Sequence, residues 1–235
     1  MATDRKVLVL GGTGPAGICL LRELLFRKHS TIVFARSPDK VPQDLATNPL
    51  IEIIKGDVND AAAMSAAVAR SSAVLSLLGP DITRDRKIDP SFFPDIYSKS
   101  VFPAMKQHGV RRIVAMGTIT IKRPDDRWTL IQTALGLLMP LLADNLYRTM
   151  QNLARVFEHE SLGLDWTVFR IAAIPGESDE ASWRNDREGE LYTEPVGEKG
   201  WQSSIKRSAL ARWIVDAVEG KADAWIGKMP AVSNV

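Results

Sequence analysis

Three glycines, Gly11, Gly14 and Gly17, stand three residues apart in VLVLGGTGPAGICLLRELL, residues 7–25. An apolar run leads into them and an apolar helical pattern leads out. Glycines so placed permit a tight turn, a close backbone approach to a phosphate, and close helix–strand packing. The helix that follows points its free N–H groups at the anion. Pro15 suits the first helical position, where no N–H is missed. Between a strand and a helix this is the pattern of a dinucleotide cradle, with Gly11, Thr13, Gly14, Pro15 and Gly17 as binding candidates. The second apolar run ends in TIVFARSPDK. An acid at this point of such a site takes a ribose 2′-hydroxyl, whereas an Arg accommodates a 2′-phosphate. Arg36 and Ser37 stand here, Lys40 is near and position 36 holds no acid. That charge logic favours NADP(H) over NAD. After the third run comes GDVND. Asp57 there can accept the adenine amino group while Val58 covers the ring. Alternatively, Gly56 and Asp57 only make a turn and Asp60 caps the next helix.

These residues need elements to hold them. Short runs rich in Val, Ile or Leu occupy 6–10, 31–35, 51–55, 73–77, 112–116 and 165–170. They alternate little with polar residues, as in strands buried on both faces of a parallel sheet. Helical patterns fall between them at 15–28, 60–70, 91–108 and about 143–160. Strand–helix alternation at this spacing implies right-handed βαβ units. The expected fold is α/β, a single Rossmann-like domain. Its doubly wound parallel sheet has strand order 3-2-1-4-5-6 and helices on both faces. Segments at about 119–147 and 172–204 fall on the substrate side. The stretch 175–200 is polar and reads as a long loop or lid. Residues 205–219 read as an amphipathic helix with Ser208 as N-cap, and the tail holds one short strand.

Bulk properties exclude several classes. The chain has 235 residues, 45% apolar and 25% charged, with a net charge of +2. No strong field attracts nucleic acid or an anionic membrane. His29, His108 and His159 lie far apart and there is one cysteine, Cys19, so no metal-ligand spacing and no internal disulfide arise. No signal-peptide pattern opens the chain. The nearest membrane candidate, 129–143, is too short and contains Gly136 and Pro140. The expectation is a cytoplasmic monomer or homodimer acting on a small molecule. His108, before Gly109 at a helix end, reads as structural.

GGTGPAG, Arg36, GDVND, LLGP at 77–80 and LGLDWTVFR at 162–170 together resemble an atypical short-chain dehydrogenase/reductase. The nearest group is the NmrA-like NAD(P)H-binding family, including the flavin reductase/biliverdin reductase B type. The resemblance covers about residues 5–220. It implies a Rossmann fold and NADP(H) held by Gly11, Thr13, Gly14, Arg36 and Asp57. It also places the nicotinamide near Gly79 and Thr118, and Leu78 and Gly117 are further cofactor-binding candidates. Many short-chain dehydrogenases carry Tyr-x-x-x-Lys after the fifth strand, where the Lys lowers the Tyr pKa for proton exchange with a carbonyl. Here the matching residues are Tyr147 and Gln151. Gln carries no charge to depress a phenol pKa, although it can hydrogen-bond a ribose. Thr118 and Thr120 stand where a Ser is usual, and a Thr hydroxyl still donates to a carbonyl. Tyr147 and Thr118 are the catalytic candidates.

Hydride transfer needs mainly close, aligned donor and acceptor carbons. A reductase of a flavin, quinone or polyketide-like aromatic is therefore compatible with the missing Lys. A non-catalytic NAD(P)-sensing regulator and a non-redox epimerase, dehydratase or cyclase are the alternatives. Residues 128–147 are more apolar than a solvated loop. They read as a wall over the substrate, a dimer face or ordinary core. Trp128, Trp183 and Trp201 are candidates for an aromatic pocket or lid anchors. Trp128 and Ile174 are the expected substrate contacts.

Overall fold

In a computed structural model, which describes residues 5–81, 83 and 85–235, the six apolar runs become strands. They are β1 (Lys6–Leu10), β2 (Thr31–Ala35), β3 (Ile51–Lys55), β4 (Ser71–Ser76), β5 (Arg112–Thr118) and β6 (Asp165–Ile171). β7 (Leu191–Glu194) and β8 (Ala231–Asn234) extend the same sheet, whose order is β3-β2-β1-β4-β5-β6-β8-β7. All neighbours pair in parallel except β7 and β8. β4 starts two residues earlier than expected and stops one earlier; β5 and β6 run further, to Thr118 and Ile171.

Alternation within β1 sends Val7 and Val9 to one face, and Leu8 and Leu10 to the other. Helices cover both faces, as a sheet without polar alternation requires. α1 (Pro15–Phe26) stops before the expected end, at the turn where Lys28 takes φ +61°. It is followed by α2 (Gln43–Ala46) and α3 (Ala61–Val68), the latter capped by Asp60, whose Oδ1 accepts from Ala62 N and Ala63 N at 3.0 Å each. The 91–108 pattern is helical but not uniform. α4 (Phe92–Ile96) passes through a π-wound turn, Tyr97–Val101, into α5 (Phe102–His108). Pro103 near the start of α5 has no N–H to give the preceding turn, which accounts for the irregular winding there. The turn places the Tyr97 hydroxyl 2.6 Å from Ser76 Oγ at the end of β4. Burial, partly offset by that hydrogen bond, pushes the Tyr97 phenol above its ordinary pKa. Gly109 closes α5 at φ +68°, and His108 Nε2 lies 2.8 Å from Ser65 Oγ, tying α5 to α3.

The apolar 128–147 segment is two helices. α6 (Leu130–Leu142) bends by 119° at Ala143 into α7 (Asp144–His159). The polar 175–200 stretch is not a loop throughout, because α8 (Glu180–Asp186) and β7 form within it. Charged partners explain the order: Arg187 pairs with buried Glu23 of α1 at 2.8 Å, and Trp183 packs edge-on against Phe26. α9 (Arg207–Val218) packs on α1. Ser208 does not cap it. Lys206 is the residue preceding the helix, and Ser208 is buried, its hydroxyl 3.7 Å from Cys19 Sγ. Among the described residues no single helix is long and apolar enough to cross a membrane.

A buried ion pair joins the elements beyond β5 and β6. Arg170 and Asp126 meet through two bonds of 2.6 and 2.7 Å, with side chains 1% and 0% exposed. Arg170 also donates to Ile121 O and Met229 O. Asp126 accepts from Arg123 N, Val196 N and Gln132 Nε2. Burial raises the Asp126 carboxyl, but the Arg170 guanidinium and these donors outweigh it and hold the group below its ordinary pKa.

Candidate dinucleotide groove and apolar cavity

The turn after β1 is built from three glycines with three different reasons. Gly11 has φ +81°, and a Cβ there would lie 2.9 Å from Leu77 C. A Cβ on Gly17 would lie 2.2 Å from Gly11 O. Both glycines are therefore required by the protein's own packing. Gly14 is different, since its nearest atom to a built Cβ is 3.8 Å away. It precedes α1 with no side-chain cap and no acid in the first turn, and Pro15 begins the helix. An uncapped helix start beside a glycine that its own fold does not need is the arrangement that admits a phosphate.

A groove of about 320 Å³ runs from this turn across the carboxyl ends of β1, β2 and β3. Gly11, Thr13, Arg36, Ser37, Asp57, Val58 and Leu78 line it, as the sequence places them, and Lys40 and Asn59 join them. Arg36 and Lys40 are exposed and make no ion pair with any described residue. Asp57 belongs to both of its readings. Its Oδ1 accepts from Asn59 N and Asn59 Nδ2 at 2.9 Å each, making the turn, while the residue still faces the groove. Phe34, not singled out in the sequence, lies under the groove, and Gly56 leaves room for its ring.

A second cavity, of about 160 Å³, continues from the carboxyl ends of β4, β5 and β6. Gly79, Gly117 and Thr118 line it as expected. Pro80, Met116, Leu135, Met139, Leu146, Met150 and Ile171 supply most of the remainder. Gly117 is demanded by packing, because a Cβ would stand 2.8 Å from Val168 Cγ1. Among the described residues, the only side-chain hydroxyls in the lining belong to Thr118 and Thr120, whose Oγ1 atoms are 2.5 Å apart, and no ionisable side chain lines the cavity.

Several expected residues stand elsewhere. Tyr147 is half-buried on α7 and outside the lining; its helix neighbours Leu146 and Met150 face the cavity instead. Its hydroxyl has no hydrogen-bond partner among the described residues. Gln151, expected at the ribose, donates its amide to Thr120 O at 2.8 Å and so braces the turn after β5. Trp128, expected against the substrate, is 76% exposed and lines neither pocket. Ile174, the other expected contact, packs on the core beside α9. Trp183 is buried against Phe26 and with it lines a separate pocket of about 280 Å³ between α1, α2 and α8, and Trp201 packs near Tyr192, so neither lines the cavity or the dinucleotide groove. Of the three readings of 128–147, a wall over the cavity holds for Leu135, Met139 and Leu146, while Met150 of α7, beyond that segment, completes the wall and was not singled out in the sequence.

A glycine-turned βα junction, a groove over the carboxyl ends of the strands and a sheet reversing beside β1 define a dinucleotide-binding Rossmann protein. Residues 11–221 match the model of the NAD(P)H-binding family, and the chain belongs to that family. A curated relative, the 3 beta-hydroxysteroid dehydrogenase/Delta 5→4-isomerase of Mycobacterium tuberculosis, is 32% identical over 116 residues, 46% of this chain. The match spans only 30% of that enzyme's length. The fold is similar to a wide-type short-chain dehydrogenase/reductase from Veillonella parvula DSM 2008, solved in complex with NADP. That likeness has a TM-score of 0.72 and 14% identity, covering 98% of this chain and 94% of the other. It is also similar to a provisionally assigned NADH-flavin reductase from Streptococcus pneumoniae TIGR4. There the TM-score is 0.66 and the identity 18%, over 98% of this chain and all of that one.

Proposed function

We propose that the chain is an NADPH-dependent reductase of a planar, apolar small molecule such as a flavin, a quinone or a polyketide-like aromatic. One observation carries the reading: the cavity beside the dinucleotide groove, adjoining it at Leu78 and Gly79, is apolar, and no ionisable side chain among the described residues lines it. When bound in the groove, NADPH would supply the hydride, to a ring or carbonyl carbon or, in a flavin, to N5. Arg36 and Lys40 take the 2′-phosphate, for which a guanidinium is a bidentate partner. The start of α1, opened by Gly14, takes the pyrophosphate. Asp57 and Val58 hold the adenine. Met116, Met139 and Met150 offer soft, adaptable surface to a flat ring. The Thr118 and Thr120 hydroxyls orient a carbonyl or ring nitrogen. With no acid or base among the described residues of the lining, the acceptor draws its proton from solvent, which flavins and quinones do readily. The relatives fit this reading, one being a provisionally assigned flavin reductase and the other acting on hydroxysteroids, themselves apolar polycycles.

A second reading, an NAD(P)-sensing regulator without turnover, is favoured by Gln151, which carries no charge and is engaged with Thr120 O.

The test is loss of reduced-nicotinamide absorbance with FMN, simple quinones and aromatic ketones offered in turn. Consumption with at least one acceptor is expected. The rate should vary little between about pH 6 and 8, and Tyr147→Phe should keep it within about tenfold, whereas losing a general acid costs about 10²–10⁴-fold. Tight NADPH binding without oxidation across the whole panel would leave the sensor reading in its place.

A further inference from the structure

α6 carries no charged residue and buries only Gln132. Leu135 and Met139 turn inward to the cavity, and Gln132 donates to Asp126 and to Ile119 O. The opposite side is bare. Leu130, Leu137 and Leu141 are 72, 67 and 81% exposed, with Leu138, Leu142 and Trp128 beside them at 51, 69 and 76%. At about 100° per residue, Leu130, Ala134, Leu137 and Leu141 fall within one narrow stripe. Their spacing of four, three and four is that of a helix-pairing seam, in which side chains of one helix seat between those of another.

We propose that this outer face of α6 is the surface through which two copies of the chain pair, α6 against α6, antiparallel across a two-fold axis. Three observations favour a second copy over other occupants. The seam spacing calls for a helix. The exposed side chains together present area of the order that each partner of a standard interface buries, about 800 Å². The ends also match when two helices run antiparallel. Arg127, 68% exposed before α6 and bonded to Glu198 of its own chain, comes beside the partner's Asp144, 51% exposed after α6 and 3.7 Å from its own Arg148, and the pair is repeated by the two-fold. A lipid surface fits less well. The flanking charges are mixed, with Asp125 and Asp144 alongside Arg127 and Arg148, and an interfacial helix draws on basic residues along its polar face. Pairing would also hold α6 from outside while the cavity lies inside it, so the Leu135–Met139 wall would be set by both copies.

The experiment is sedimentation equilibrium of the full chain at micromolar concentration, with NADPH binding followed by nicotinamide fluorescence. Wild type should sediment at twice the chain mass. Leu137→Glu with Leu141→Glu should halve that mass and leave NADPH binding intact, since the dinucleotide groove lies on the other side of the sheet reversal. As a check that does not depend on the acidic variant folding, Leu137→Cys should form an oxidant-dependent crosslink between copies. The only native thiol, Cys19, is buried and should not. A wild type that is monomeric throughout, or a dimer that survives both substitutions and does not crosslink at 137, overturns the proposal. So does a monomer that co-sediments with phosphatidylcholine vesicles through the same leucines, which would give the face to a bilayer. Mass is read without regard to turnover: a monomer that oxidises NADPH sinks only this inference, and a dimer that never does sinks only the reductase reading.

Discussion

Gly14 and Gly17 differ by three positions and by what lies opposite them. Gly17 faces Gly11 O, so Gly17→Ala forces backbone apart and should cost about 1–3 kcal/mol, the usual range for overpacking. A Cβ on Gly14 would meet Gly11 O only at an ordinary contact distance of 3.8 Å, so Gly14→Ala should cost under about 1 kcal/mol as a changed helix start. Its methyl group would stand where the pyrophosphate approaches, however. Thermal melts and NADPH titrations of both variants should separate, with Gly17→Ala losing stability and Gly14→Ala losing mainly affinity. Arg36 makes a matching prediction. It is exposed and unpaired, so Arg36→Ala should leave the melting temperature unchanged. It should weaken NADPH about 10- to 100-fold, the value of a charged hydrogen bond, and hardly affect NADH. Equal losses for both cofactors would assign the groove's cation a different role.

The elements around the cavity depend on Asp126 and Arg170, which join the turn after β5, the first turn of α6, the residues after β7 and the start of β8. Replacing one member leaves the other charge buried and unpaired, so Asp126→Asn should destabilise by about 3–5 kcal/mol in denaturant titrations. The pH dependence has a fixed sign. The folded pKa of Asp126 lies below its unfolded value, so its contribution is fully present above the ordinary carboxylate range. It is lost as pH falls through that range toward the lower folded pKa. Acid melts of wild type should therefore fall more steeply below about pH 4 than those of Asp126→Asn. α6 shows where a local pattern stops short. Its apolar run was legible as wall, dimer face or core, three readings one sequence supports equally. Only the packing shows that one side meets the cavity and the other meets nothing within the chain.

Across the whole molecule, a ligand that binds only the folded state adds stability by mass action. NADPH at about 100 times its dissociation constant should add about 2.7 kcal/mol, raising the melting temperature by about 5–10 °C for a chain of this size. No shift would mean that the groove does not hold the dinucleotide.

The dinucleotide half of the site was readable because it is local. The glycines, the strand before them and the helix after them lie within twenty-odd residues. The Arg36 and Asp57 positions follow from the rule that ligands meet strand carboxyl ends. The six central strands were readable for a similar reason, since burial on both faces leaves an apolar run that needs no partner to be recognised. The acceptor half is not local. Its lining comes from the ends of three strands and from two helices up to ninety-odd residues away along the chain. Tertiary packing left Trp128 exposed and Ile174 on the core beside α9, both outside the cavity lining, and it turned a polar stretch into α8 and β7 through Glu23 and Arg187. Residue types alone marked where a phosphate can rest. Which side chains face the second cavity, and that none of those among the described residues ionises, was decided by tertiary packing, because the orientation of a side chain is set by what its neighbours in space leave open.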